Sequence, residues 1–165
     1  MTKKIILGVD PGYGRTGLGL ISFDKEELIL LNADCIETPS YEEDMGKRLL
    51  LLRQKLFIFL EYGKPEVAVM EKLFFSRNVT TAMKVAEARG VILSVFAERN
   101  IPVVEYTPNQ VKKTVGGDGK IKKTALKHIT MDYLKISKIP GPDDVADACA
   151  IALCYALNEM KPVVV

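Results

Sequence analysis

The sequence predicts an α/β fold in which a mixed five-stranded sheet carries helices on both faces. Three apolar strand candidates lead the chain, at residues 4–9, 16–23 and 27–36, and short polar turns join them. Strands connected by turns this short pair antiparallel. The two later strand candidates are separated by helical patterns, which is typical of parallel strands linked by crossover helices.

The first helix and the fourth strand follow these strands. Ser40 and Glu43 form a capping-box pattern, which predicts a helix that starts at Tyr41. Its apolar residues recur at helical spacing until Gly63 and Pro65 end it. A short apolar strand at residues 66–70 comes next and leads into Glu71.

The second half of the chain adds one strand and four helices. A helix is predicted over about residues 78–99, with a stripe whose small residues permit close packing. The stripe consists of Val79, Met83, Ala86, Gly90, Leu93 and Ala97. A strand begins at Val103–Val104, two helices broken at 116–119 lie between Pro108 and Ser137, and a final helix runs over about Asp143–Glu159. This order of elements is that of the ribonuclease-H-like fold.

Composition limits the class of protein. A chain of 165 residues with 48% apolar and 27% charged residues predicts one soluble domain over residues 1–165. Three cysteines without a CxxC pair argue against a disulfide framework or zinc site and favour a reducing compartment. The apolar run before Asp10 is too short for a signal peptide or membrane span, so we expect a cytoplasmic protein without a membrane partner.

Four acidic residues occupy positions that favour a shared site. Asp10 ends the first buried strand and Glu71 ends the fourth. The carboxyl ends of neighbouring strands border the crevice in which α/β sheets bind ligands. Asp144 and Asp147 are three residues apart at the start of the last helix, which places them on one helix face with Cβ atoms about 5–6 Å apart. If that helix packs beside the strand ends, the four carboxylates converge.

Convergent carboxylates predict a metal-dependent hydrolase. Carboxylates that converge repel one another, so such a cluster persists in a folded protein only when cations neutralise it. Oxygen ligands alone suit Mg²⁺ or Mn²⁺. Two such ions about 3.5–4 Å apart clamp a phosphodiester, one activating water and the other stabilising the leaving oxygen. The pattern therefore predicts phosphodiester hydrolysis.

Each acid also has a simpler interpretation. Asp144 and Asp147 lie in a first helical turn, where the helix dipole favours acids in any case. Asp10 precedes Pro-Gly and has the sequence of an ordinary turn aspartate. Asp143 lies about 100° round the helix and is interpreted as a cap or as a neighbour of the ligands. Glu105, after the fifth strand, is a weaker extra candidate.

A basic segment is hidden by the overall net charge of +2. Residues 107–139 contain eight lysines and two aspartates, a net charge of +6, so the rest of the chain carries −4. Lysines beside an acidic metal site bind the phosphates that flank the scissile one. A solvated helix face is the alternative, and His128 is interpreted as a surface helix residue. The lysines predicted to bind DNA are Lys112, Lys113, Lys120, Lys122 and Lys123.

Two aromatic residues follow Glu71 on a predicted loop. Phe74 and Phe75, with Arg77 nearby, have the chemistry to stack on bases or wedge between them. Anchoring of the loop to the core is the alternative, and we expect it for one of the two phenylalanines.

These motifs together resemble the RuvC-type Holliday junction resolvases. Asp10-Pro11-Gly12 with Thr16-Gly17-Leu18-Gly19 resembles the opening motif of that family. Glu71-Lys72-Leu73-Phe74 with Ala88-Arg89-Gly90 resembles its second region, and Asp144-Val145-Ala146-Asp147-Ala148 resembles its acidic helix. Pro108-Asn109-Gln110-Val111-Lys112 and Gly117-Asp118-Gly119 with Lys123 resemble its basic region. The resemblance runs in order along nearly the whole chain.

The resemblance implies a homodimer in which each subunit nicks one of two opposing strands of four-way junction DNA. It implies two Mg²⁺ per subunit, which Mn²⁺ can replace, held by Asp10, Glu71, Asp144 and Asp147. It further implies base contacts by Phe74, phosphate binding or a catalytic role for Lys112 and Lys123, and a branch-migration complex of the RuvA and RuvB type as partner. The helix at about 78–99 would contribute to the dimer interface.

The chain departs from the family pattern at two places. Tyr13-Gly14-Arg15 is a variable stretch, so Arg15 receives no role, and Ile121 stands where the family often has a small residue. Three alternative functions stay open. They are a phosphate-loop kinase of the actin-like class, which needs a second similar domain, a non-catalytic junction-binding module, and a related nuclease that acts on RNA.

Overall fold

A computed structural model of the chain describes residues 3–24, 27–39, 41, 44–73 and 79–160. Five strands form one sheet in the order β3-β2-β1-β4-β5. β1 pairs antiparallel with β2, as β2 does with β3, whereas β1, β4 and β5 run parallel. The mixed five-stranded sheet predicted from the sequence is thereby confirmed. The strands are β1 (Lys4–Asp10), β2 (Arg15–Asp24), β3 (Glu27–Glu37), β4 (Val67–Glu71) and β5 (Val103–Tyr106). The helices are α1 (Met45–Gly63), α2 (Val79–Glu98), α3 (Pro108–Gly116), α4 (Lys123–Tyr133) and α5 (Asp143–Met160).

The two central strands send alternate side chains to two hydrophobic cores. Ile6 and Val69 belong to the core that contains α5, whereas Leu7 and Met70 belong to the core beneath α1 and α2. Side chains along a strand alternate between its faces with a period of two. Asp10, four residues after Ile6, and Glu71, two residues after Val69, therefore lie on the α5 face of the sheet.

Helices cover both faces of the sheet, as the sequence predicts. Ten of the 18 residues of α5 are buried, and the helix packs across β1 and β2, while α3 and α4 pack against α5. Its close approach depends on glycines in the two strands. A Cβ at Gly19 would lie 2.7 Å from the Cys149 sulfur, which leaves no room for a side chain at that position. The strand glycines thus bring the α5 backbone onto the sheet.

The α1 helix begins later than predicted. It starts at Met45 instead of Tyr41, because Asp44 is the N-cap and its side chain accepts the Lys47 backbone N–H at 3.2 Å. An aspartate at this position satisfies one of the free N–H groups of the first turn. Ser40 and Glu43, which carry the predicted capping box, lie outside the described residues.

The first half of the small-residue stripe of α2 is exposed. The buried residues of this helix include Ala88, Ile92 and Phe96. Val79 and Met83, by contrast, are 60% and 58% exposed, and a Cβ at Gly90 would meet nothing within 4 Å. Leu93, later in the stripe, is partly buried and packs against the core beneath α1 and α2.

The three cysteines all lie in the described parts of the chain. None of them forms a disulfide; Cys149 and Cys154 are buried, and Cys35 is partly buried. Within the described ranges, no helix combines the length and apolar character needed to cross a membrane. The cytoplasmic location stays a prediction.

Candidate active site

Asp10 and Glu71 lie beside each other at one edge of the sheet. β1 and β4 are parallel, and their pairing places Val9 opposite Met70. The next residue of each strand is one of the two acids. Asp10 is also paired with Gly17 of the neighbouring antiparallel strand. Both acids are the last residues of their strands, as the sequence predicts.

The first turn of α5 brings the other two acids to the same edge. A Cβ at Gly17 would overlap the backbone carbonyl of Asp144, so the helix start lies directly on the β1–β2 pair. The Asp144 and Asp147 side chains are 29% and 27% exposed to solvent. The four acids are therefore gathered where the sheet and α5 meet, partly shielded from water.

Burial and mutual repulsion raise the pKa values of three of these acids. Desolvation, followed by the charges of Asp147, Glu71 and Asp144, raises the pKa of Asp10 to about 7. Burial and the Asp147 charge raise the pKa of Glu71, and burial raises the pKa of Asp147 as well. Carboxylates influence each other in this way only at short range, so the side chains form one electrostatic cluster.

Two basic side chains contact this cluster. The Lys123 Nζ lies 2.5 Å from Asp147 Oδ2, and the Arg15 Nε lies 3.5 Å from Asp144 Oδ2. Burial lowers the pKa of Lys123, but its bond to Asp147 and the other carboxylates outweigh this, so the net shift is upward. Asp147 keeps a raised pKa despite the lysine, because the effect of burial is larger than that of the bond to Lys123.

The donor chemistry of the cluster fits hard cations. All four acids offer carboxylate oxygens, which are the ligands of Mg²⁺ and Mn²⁺. Within the described ranges, no three acidic, histidine or cysteine side chains lie close enough together to hold a metal ion in this structure. Asp144 and Asp147 are instead each engaged by a basic side chain.

Arg89 supports Glu71 from the other face of the sheet, a contact that the sequence did not predict. Its Nη1 donates a hydrogen bond to the Glu71 backbone carbonyl at 3.0 Å, and its other amino group pairs with Glu105. The Arg89 side chain is only 13% exposed. Glu105 is paired in register with Met70, on the α1–α2 face. The expectation that Glu105 is an extra member of the cluster is therefore wrong.

The basic segment brings two of its lysines to the cluster. Lys112 and Lys123 line a cavity of about 190 Å³ together with Glu71 and Asp147. A capping box between Thr107 and Gln110 begins α3 and fixes the position of Lys112. The other three predicted lysines are exposed and do not line this cavity. They are Lys113, Lys120 and Lys122.

Several other candidates have defined positions. Asp143 pairs with Lys127 at 3.0 Å, so its carboxylate is held by α4 beside the cluster. His128 is exposed, and its Nδ1 lies 2.8 Å from the Thr124 carbonyl oxygen, as a surface helix residue would be. Phe74, Phe75 and Arg77 lie outside the described residues, and their contacts with bases stay a prediction.

Comparison with known proteins gives consistent results along the chain. The family model of crossover junction endodeoxyribonuclease RuvC matches residues 6–155. The chain is 47% identical over 153 residues to the crossover junction endodeoxyribonuclease RuvC of Thermotoga petrophila, covering 93% of this chain and 92% of the relative. It is 43% identical over 150 residues to that of Thermomicrobium roseum, covering 91% of each chain.

Solved structures show the same similarity. RuvC of Thermus thermophilus in complex with a Holliday junction substrate superposes with a TM-score of 0.88 at 30% identity, covering 95% of each chain. The yeast mitochondrial Holliday junction resolvase Ydc2 shares the fold, with a TM-score of 0.70 at 19% identity over 93% of this chain and 78% of that one. The family match and these identities leave one assignment: the chain belongs to the RuvC family of crossover junction endodeoxyribonucleases.

Proposed function

We propose that residues 1–165 act as one nuclease domain that resolves Holliday junctions by hydrolysing phosphodiester bonds. The single observation that carries this proposal is the gathering of four carboxylates where the sheet meets α5, with two lysines of the basic segment in the adjoining cavity. Membership of the RuvC family supports four-way junction DNA as the substrate.

Two Mg²⁺ ions per subunit are proposed to bind to Asp10, Glu71, Asp144 and Asp147, and Mn²⁺ is expected to replace them. The oxygen donors and the mutual repulsion that helps to raise the pKa of Asp10 both support this site. When bound, the ions would supply Lewis-acid stabilisation of the phosphodiester and a lowered pKa for an attacking water. Asp10 is the most buried of these acids, and its pKa of about 7 marks the greatest need for a cation.

The other residues of the site bind and orient. Lys112 and Lys123 are placed to hold phosphates of the cut strand, because both line the cavity beside Glu71 and Asp147. Lys123 would exchange its contact with Asp147 for a phosphate when cations neutralise the cluster. Arg89 fixes the backbone of Glu71 and thereby the direction of its carboxylate. Phe74 is proposed to contact bases, on the resemblance alone.

A homodimer would allow two paired, symmetric nicks. A junction has two strands of equal geometry, and a two-fold symmetric dimer presents two equivalent sites to them. The exposed stripe of α2, with Val79 and Met83 more than half exposed, supports this helix as the interface. A branch-migration complex of the RuvA and RuvB type is the proposed protein partner.

The function is tested by cutting a labelled synthetic four-way junction beside a linear duplex and an RNA–DNA hybrid. Paired nicks at symmetric positions in the junction alone, dependent on Mg²⁺ and lost with chelator, are expected. Junction binding without nicks would favour a binding module instead. Preferential cutting of the hybrid would assign the chain to RNA, and equal cutting of all substrates would make it a general nuclease.

A further inference from the structure

A second basic surface meets the carboxylate cluster at a different acid from Lys112 and Lys123. It is an open groove of about 1040 Å³ that runs from Asp144 along the β1–β2 turn to the N-terminal halves of α1 and α2. No lining residue is shared between this groove and the cavity of Lys112 and Lys123. The name β1–β2 groove is used below for the surface formed by Tyr13, Arg15, Arg48, Lys55, Lys84 and Asp144.

The floor of the β1–β2 groove is fixed by Tyr13. Arg48 and Lys84 each place their charge 5.3 Å from the centre of the Tyr13 ring. The Arg48 Nη2 donates to the Tyr13 carbonyl oxygen at 3.1 Å and to Thr38 Oγ1 at 3.2 Å. Thr38 Oγ1 donates in turn to the same carbonyl at 2.7 Å. These contacts join the β1–β2 turn to α1 and to the residue that follows β3.

The charge of the groove suits a polyanion. Its described lining contains four cationic side chains against the two acids Glu37 and Asp144. Arg48 uses its donors within the turn, and Lys55 donates to the Glu37 carbonyl oxygen at 3.2 Å. Lys84, by contrast, is exposed, and the Arg15 side chain is 55% exposed. Asp144 is itself a member of the proposed metal site. Lys84 and Arg15 are thus the groups that can reach a phosphate in solvent.

We propose that the β1–β2 groove binds the backbone phosphates of the cut DNA strand on one side of the scissile bond, while Lys112 and Lys123 bind those on the other side. This inference rests on the proposed function. A strand whose scissile phosphate lies at the carboxylates must leave the cluster in two directions. The Lys112–Lys123 cavity meets the cluster at Glu71 and Asp147, and the β1–β2 groove meets it at Asp144. Each direction therefore has its own cations.

The test uses junctions in which one phosphate next to the nicked bond is replaced by a neutral methylphosphonate. Affinity is measured in chelator for the wild type and for Lys84→Gln, Arg15→Gln and Lys112→Gln. Loss of one phosphate contact is expected to weaken binding by about fivefold to tenfold at 0.1 M salt and to lower the salt slope by about one. The matched control is Lys3→Gln, since Lys3 is an exposed lysine at the opposite end of β1 from Asp10.

The variants should differ in the side of the nicked bond at which a methylphosphonate weakens binding. The wild type and Lys3→Gln should be sensitive to replacement on both sides of the bond. Lys84→Gln and Arg15→Gln should lose sensitivity on one side only, and Lys112→Gln on the other. Melting curves establish that the variants are folded.

Two results would overturn the proposal. If the wild type binds and cuts junctions but Lys84→Gln and Arg15→Gln keep full sensitivity on both sides, the groove assignment is wrong and the nuclease function stands. The assignment is equally wrong if these variants lose sensitivity on the same side as Lys112→Gln. A wild type that binds no junction overturns the proposed function together with this inference.

Discussion

Gly17 of β2 lies so close to the backbone carbonyl of Asp144 that a Cβ added to this glycine would overlap the carbonyl oxygen. This contact seats the first turn of α5 on the strand pair that ends at Asp10. The position of two carboxylates thus depends on the absence of one Cβ atom in a strand. Gly8 and Gly19 have the same relationship to later turns of α5.

Gly17→Ala should push α5 away from the sheet and misplace Asp144. Overpacking of this kind costs about 1–3 kcal/mol of stability, and a shift of about 1 Å at a reacting group costs about 100-fold in rate. Denaturant unfolding and junction cleavage measure the two effects. Gly14→Ala is the control for stability, because its Cβ would meet only Arg48 at 3.6 Å. Unchanged cleavage by a folded Gly17→Ala protein would show that the contact does not position the site.

The raised pKa of Asp10 predicts a pH-dependent stability of the metal-free protein. A carboxyl whose folded pKa is about 7, against an ordinary 3.8, stabilises the fold least at high pH. Its contribution is present below about pH 4 and is lost as pH rises through 7. Asp10→Asn should therefore stabilise the protein in chelator at pH 8, by about 4 kcal/mol at most, since one pKa unit corresponds to about 1.4 kcal/mol.

The same variant should gain less at pH 5, where Asp10 is largely protonated in the folded protein. Denaturant unfolding in chelator at the two pH values measures the difference, which is expected to be about 3 kcal/mol at most. Adding Mg²⁺ at pH 8 should stabilise the wild type more than Asp10→Asn. An equal effect of the substitution at both pH values would argue against repulsion within the cluster.

We expect Arg89 to affect metal affinity through its contacts with Glu71 and Glu105, without itself contacting the metal. Arg89→Met removes the donor to the Glu71 carbonyl and the partner of Glu105. Loss of a group that orients a ligand typically costs about 10–100-fold in metal affinity or activity. The Mg²⁺ concentration for half-maximal cleavage should rise accordingly, whereas junction affinity in chelator should not change. Arg89→Lys should recover part of the loss, and an unaltered Mg²⁺ dependence in Arg89→Met would exclude this role.

We expect the exposed face of α2 to form the dimer interface. Met83→Glu places a charge on a residue that is 58% exposed in the single chain. Burying an unpaired charge in an interface is unfavourable, so this variant should be monomeric. Ile58→Glu is the matched control, because Ile58 on α1 is 59% exposed and lies outside the stripe. Sedimentation of both variants decides the matter, and a dimeric Met83→Glu would place the interface elsewhere.

Much of the site could be predicted because its acids have diagnostic positions along the chain. Asp10 and Glu71 follow buried apolar runs, so the sequence places both at strand ends. The face that they share depends on the register of β1 with β4. The spacing of Asp144 and Asp147 assigns them to one face of a helix. The sequence alone could not establish that these two acids approach the strand ends, because their approach depends on how closely α5 packs against the strand glycines.

The contacts of Arg89 and Glu105 could not be predicted from local patterns. Their pairing depends on the register of β4 with β5, which joins residues far apart in the chain. The buried face of α2 was also ambiguous, because small and apolar residues occur on both sides of the helix. The start of α1 was misplaced because Ser40 and Asp44 are both capping residues, and the structure uses Asp44.

The central claim is that the carboxylate cluster cuts junction DNA and is not needed to bind it. Asp10→Asn removes a proposed metal ligand but keeps the lysines that contact phosphates, so its effects on cutting and binding should separate. We predict that Asp10→Asn binds a labelled four-way junction with wild-type affinity and produces no nicks at saturating Mg²⁺. Cleavage by Asp10→Asn at the wild-type rate would contradict the account.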